Sequence, residues 1–82
     1  NADQAPLVVT IKEDGSLYLQ DNEIPADTLI PRLSAIGDAN KNVRIFVRGD
    51  KDVAYGEVIV LMGRIQTAGF ERVALVAELP ED

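Results

Sequence analysis

With 82 residues the chain has room for one domain, and 46% of them are apolar, which favours a folded core over disorder. A formal charge of −6, with Arg44, Arg48, Arg64 and Arg72 scattered rather than clustered, argues against nucleic acid or an anionic lipid surface as a partner. The absence of cysteine excludes disulfide and thiolate chemistry, the absence of histidine removes the commonest general base and metal ligand, and no apolar run approaches the roughly 20 residues needed to cross a bilayer.

The chain opens on Asn1-Ala2-Asp3-Gln4-Ala5-Pro6, with no initiator methionine and no signal-peptide pattern, and is read as a piece of a longer protein. Residues 7–12 alternate as a strand, Asp14-Gly15 is a two-residue hairpin signal, and residues 16–20 alternate again. Asp21-Asn22 predicts a second turn into a very short strand, Glu23-Ile24, which Pro25 ends. Asp27 is placed to cap a first helix with the apolar stripe Leu29, Ile30, Leu33 and Ile36. Pro31 falls in its first turn, where a missing N–H costs little. Residues 37–42 form a polar exit.

Residues 43–77 are the most ordered stretch of the pattern. Val43, Ile45 and Val47 share one face of a strand, Tyr55, Val58, Leu61, Met62, Ile65 and Ala68 recur at helical spacing, and residues 72–77 read as strand again. Gly69 stands where the helix needs a left-handed terminating residue. Strand, crossover helix and strand imply a parallel pair. The whole reads as an α+β fold in two layers, a mixed sheet with two helices on one face, in the order β-β-(β)-α-β-α-β.

On that framework Leu7, Val9, Ile11, Leu17, Leu19, Val43, Ile45, Val47, Val73 and Leu75 face the helices as core. The opposite sheet face carries Val8, Thr10, Tyr18, Arg44, Phe46, Arg48, Ala74 and Val76, half of it apolar. Such a face either meets a partner or is ordinary exposed apolar surface. Gly56, Val60, Gly63 and Thr67 form a small-residue stripe on the second helix, with close packing inside the domain preferred over contact with a partner.

Enzymatic readings are weak. Glu13, Asp14, Glu23, Asp50, Asp52 and Glu57 lie at turns and helix starts, where carboxylates have local backbone roles, and no spacing suggests two of them converging on a substrate. Asp50-Lys51-Asp52 lacks the glycine and distal glutamate of a calcium loop, and no glycine pattern makes a phosphate cradle. Arg48-Gly49-Asp50 matches an adhesion tripeptide that any strand ending in a Gly-Asp turn produces by chance. No cofactor or metal is expected.

The run 48–58, Arg48-Gly49-Asp50-Lys51-Asp52-Val53-Ala54-Tyr55-Gly56-Glu57-Val58, followed by Leu61-Met62-Gly63, Ala68-Gly69-Phe70 and Val73-Ala74-Leu75-Val76, resembles the periplasmic domain of the ExbD/TolR family. The run 45–50 and the pair Met62-Gly63 look more like TolR members than ExbD members. Ala54 departs from relatives that place a capping residue there, which shifts the capping expectation to Asp52.

The resemblance implies that residues 1–6 are a linker after a missing transmembrane helix, 7–79 the domain, and 80–82 a tail. It implies a non-enzymatic part of a proton-motive-force-coupled complex, anchored in the bacterial inner membrane and lying in the periplasm. The system would be Tol-Pal, serving envelope integrity and cell division, or the ExbD alternative powering outer-membrane uptake. The partners implied are a second copy, a TolQ/ExbB-like channel subunit, a TolA/TonB-like protein and, for TolR-like members, peptidoglycan. Tyr18, Phe46, Val73, Ala74, Leu75, Val76 and Ala77 are the candidate contact residues. The edge is placed at 73–77 or at 7–12, and the mode is strand addition or face-to-face packing. Arg48, Asp50, Asp52, Tyr55 and Gly69 are read as structuring the turns, with an Arg48–Asp50 ion pair at the first. A small-molecule or glycan-binding regulatory domain of similar layout is the alternative from another class.

Overall fold

A computed structural model describes residues 6–37 and 42–76. They form β1 (Leu7–Ile11), β2 (Leu17–Leu19), β3 (Asn22–Ile24), one turn of 3-10 helix (Ala26–Thr28), α1 (Leu29–Gly37), β4 (Ile45–Gly49), α2 (Tyr55–Thr67) and β5 (Val73–Val76). The sheet order is β3-β2-β1-β4-β5. β1 pairs antiparallel with β2 and parallel with β4, β2 pairs antiparallel with β3, and β4 pairs parallel with β5. This is the mixed sheet of the α+β reading. The crossover carried by α2 brings β4 and β5 side by side, with Ile45 opposite Val73 and Val47 opposite Leu75.

The topology removes one expected edge. Because β1 has β2 on one side and β4 on the other, residues 7–11 lie at the centre of the sheet and have no free rim. Among the described residues, β3 and β5 end it.

Both hairpin turns differ from the two-residue pattern read in the sequence by one position. The Lys12 N–H donates to the Ser16 carbonyl and the Gly15 N–H to the Lys12 carbonyl, so the first loop holds three residues, with Gly15 at φ 90°. A turn followed by a left-handed glycine is the usual three-residue solution, and it needs the residue without a Cβ at its third position. The second turn is Gln20–Asp21, because Leu19 pairs with Asn22. Gln20 takes φ 57° where glycine is usual, and β1 holds it there: the Gln20 N–H donates to the Val8 carbonyl, and its Oε1 accepts the Val8 N–H at 2.7 Å.

Val9, Leu33, Ile45, Val47 and Ile65 are fully buried in one continuous core that both helices share with the sheet. The apolar alternation of β1, β2 and β4 built it, since odd positions face the helices. Three expected members fall outside: Ile36 is 47% exposed at the end of α1, Tyr55 is 67% exposed, and Leu75 is 44% exposed on the outermost strand. The stripe of α2 therefore begins at Val58, and on β5 only Val73 packs against the core while Leu75 is left exposed. Phe70 is the largest fully buried side chain, yet it belongs to no periodic element, lying between α2 and β5. Ile24, on the short β3, is also core.

Candidate functional site

The sheet face turned away from the core is open among the described residues. Register places Tyr18, Thr10, Arg48 and Val76 in one row across four strands, and Val8, Phe46 and Ala74 in the next. Val8, Tyr18, Phe46 and Val76 are half-buried, Arg48 and Ala74 are exposed, and Thr10 is buried beneath its long neighbours. The structure thus brings Tyr18, Phe46, Ala74 and Val76 onto one surface, as alternation requires. Val73 and Leu75 point to the opposite side, and Ala77 lies outside the described residues.

β5 is one rim of that surface. It carries Val73, Ala74, Leu75 and Val76, all uncharged, and a groove of about 290 Å³ runs beside it, lined by Tyr55, Val58, Leu75 and Val76 together with Gly49, Asp50 and Val53. The other rim is unlike it. β3 has three residues, Asn22 and Glu23 are exposed, and Pro25 follows.

The turn from β4 into α2 sets the position of the groove. The Asp50 N–H donates to the Ile11 carbonyl, the Val53 N–H to the Asp50 carbonyl, and the Asp50 carboxylate accepts the Lys51 N–H at 2.7 Å. Asp50 therefore structures the turn through the backbone, and no Arg48–Asp50 ion pair forms among the described residues. Ala54 is the N-cap with no side-chain cap bond, so neither Asp52 at the start of α2 nor Asp27 at the start of the first helical segment, where Pro25 caps, takes the capping role expected of it. Thr28 Oγ1 donates to the Pro25 carbonyl. At the far end of α2, Gly69 has φ 108° and its N–H donates to the Gln66 carbonyl, the left-handed stop predicted from its position.

A Cβ built on Gly56 or Gly63 meets nothing within 4 Å beyond the helix itself, which overturns close packing inside the domain as the reason for these glycines. Gly63 instead opens onto a shallow apolar groove with Ile30, Val60, Thr67 and Ala68.

Four acids share one open hollow with Lys12, without three of them grouping closely enough to hold a metal ion. Glu13, Asp14, Asp52 and Glu57 line a hollow between the first hairpin loop and the start of α2. All four are exposed, and the Asp14 carboxylate, accepting from the Ser16 N–H and hydroxyl, is held below its ordinary value of 3.8. A general acid needs the opposite shift, produced by burial. Among the described residues no group of His, Cys, Asp or Glu is placed to hold a metal ion, and no helix is long and apolar enough to cross a membrane.

Comparison with known proteins agrees with the layout. The profile of the family described as Biopolymer transport protein ExbD/TolR matches residues 1–79. The chain is 29% identical over 75 residues to the Biopolymer transport protein ExbD of Escherichia coli, covering 92% of this chain and 53% of that protein. It is 32% identical over 85 residues to the Tol-Pal system protein TolR of Pseudomonas aeruginosa, covering 90% and 58%. To the Biopolymer transport protein ExbD of Pseudomonas putida it is 34% identical over 74 residues, covering 89% and 52%. The chain spans about half the length of these relatives. The ExbD and TolR identities are too similar to separate the two branches.

Proposed function

From the premise that the chain belongs to the ExbD/TolR family, we propose that it is the periplasmic, non-enzymatic domain of an inner-membrane energy-transducing subunit, working by contact with a second copy and with partner proteins. In the intact protein, a transmembrane helix preceding residue 7 anchors it beside a TolQ/ExbB-like channel subunit, and the domain engages a TolA/TonB-like protein that reaches the outer membrane. Residues 1–6 are then the linker, and 80–82 the tail. The Tol-Pal system, with envelope integrity, cell division and peptidoglycan contact, is the branch we favour on the run 45–50 and Met62-Gly63. An ExbD-type role in uptake is the second reading, favoured by the ExbD relatives above.

The observation that carries the proposal is the contrast between the two rims. An edge strand exposes unpaired N–H and C=O groups, and proteins that keep such an edge free blunt it with charge, proline or brevity. β3 is blunted in all three ways, by Glu23, by Pro25 and by its length of three residues. β5, at four residues, is also short but carries neither charge nor proline, and it presents the exposed Leu75. An edge left in that state is suited to receiving another strand.

Leu75→Lys places a charge on the rim without touching the buried core. Sedimentation of the wild-type chain is expected to show concentration-dependent self-association that this variant weakens at least tenfold. A wild-type chain that stays monomeric, or a variant that associates as well as the wild type, contradicts the dimer.

A further inference from the structure

We propose that the helix-free sheet face holds a small binding site for a group carrying both an ammonium and a carboxylate, of the size of one amino acid or a peptide end. The site is the cavity of about 210 Å³ in which Thr10, Lys12, Tyr18, Asp21, Arg48 and Asp50 meet. It lies on the face the proposed function leaves open, but it does not depend on β5 receiving a strand.

Two independent observations define it. The first is the Thr10 hydroxyl, on a residue only 7% exposed, which has no hydrogen-bond partner among the described residues. A buried hydroxyl without a partner carries a desolvation penalty, and such groups are uncommon enough in folded proteins to call for a specific explanation. Its register neighbours are the cause of its burial: Tyr18 stands on one side and Arg48 on the other. An incoming carboxylate that lifts either side chain gains this donor.

The second observation is the balance of charge. Lys12 and Arg48 supply two cations, and Asp21 and Asp50 two carboxylates, so the lining is formally neutral although the chain carries −6. A neutral lining gives no net attraction to a simple anion or cation. It matches a ligand that presents both signs, with Arg48 suited to bidentate pairing with a carboxylate. The Lys12 ammonium lies 5.3 Å from the centre of the Tyr18 ring, a cation–π contact within the lining. The volume decides the size, because drug-sized ligands occupy pockets of roughly 300–1,000 Å³.

The test titrates the ¹⁵N-labelled chain with alanine and with alanylalanine, using acetate and methylammonium as single-sign controls. Saturable shifts centred on the Thr10, Lys12 and Arg48 amides are expected with at least one zwitterion, with a dissociation constant on the order of 1 mM for so few atoms. Preference for alanine or for the dipeptide assigns the source of the group. Arg48→Gln, Asp21→Asn and Thr10→Val, each checked for retained amide dispersion, are expected to weaken binding at least tenfold, fivefold and threefold, respectively. The proposal is overturned if neither zwitterion saturates, if acetate binds as tightly as the zwitterions, or if Asp21→Asn leaves the affinity unchanged.

Discussion

At the scale of single residues, Gly49 is constrained by side chains that close over the strand backbone. A Cβ at Gly49 would lie 2.8 Å from Val53 Cγ1 and 3.2 Å from Val58 Cγ2, both on short branched side chains with little freedom to move. Gly49→Ala is therefore expected to destabilise the fold by about 1–3 kcal/mol, the range for overpacking, as measured by denaturant unfolding. An unchanged midpoint would show that the β4–α2 turn tolerates displacement. Asp14 makes a subtler contribution. Its bonds from Ser16 favour the ionised form and depress its folded-state pKa. The stability it adds is thus fully present above its ordinary value of 3.8 and is lost as the pH falls through the lower folded value. Asp14→Asn should be less stable than wild type at neutral pH, with the difference closing in acid; a constant difference across that window would mean that the Ser16 bonds do not discriminate between protonation states.

At the scale of elements, periodic signals were legible and non-periodic ones were not. Val9, Ile11, Ile45 and Val47 sit where alternation put them, and Val58, Leu61 and Ile65 where helical spacing did. Phe70 was visible only as part of a family-like motif, because a residue in a connection has no period to declare its side. The turns differ by one position for a related reason. Asp14-Gly15 and Asp21-Asn22 announce turns, but at the second the positive φ falls on Gln20, which the Val8–Gln20 bonds across the sheet hold in place. Of the candidate contact residues, alternation correctly gathered Tyr18, Phe46 and Val76. It could not reveal the Thr10 hydroxyl, whose isolation depends on neighbours from two other strands.

The glycines of α2 make an element-scale prediction. Gly63, in the helix interior, costs roughly 1 kcal/mol relative to alanine, Gly56 in the first turn costs less, and neither is filled by the domain itself. The double variant Gly56→Ala, Gly63→Ala should raise stability by about 1–2 kcal/mol in thermal unfolding, by the same helix-propensity scale. A loss of stability would mean that the α2 surface is already packed in a way the single chain does not contain.

At the scale of the whole molecule, the domain is a thin sheet with helices on one side, one protected rim and one unprotected rim. A chain of 82 residues buries only about 60% of its unfolded surface, so little stabilising area is held in reserve and a partner adds to it by mass action. Amide hydrogen exchange of the chain at low and high protein concentration tests the central claim most directly. The account predicts that protection rises at the β5 amides that do not pair with β4, while β3 remains unchanged. Protection gained on the outer surface of α2 or along β3, with the β5 amides exchanging as fast as before, would contradict it.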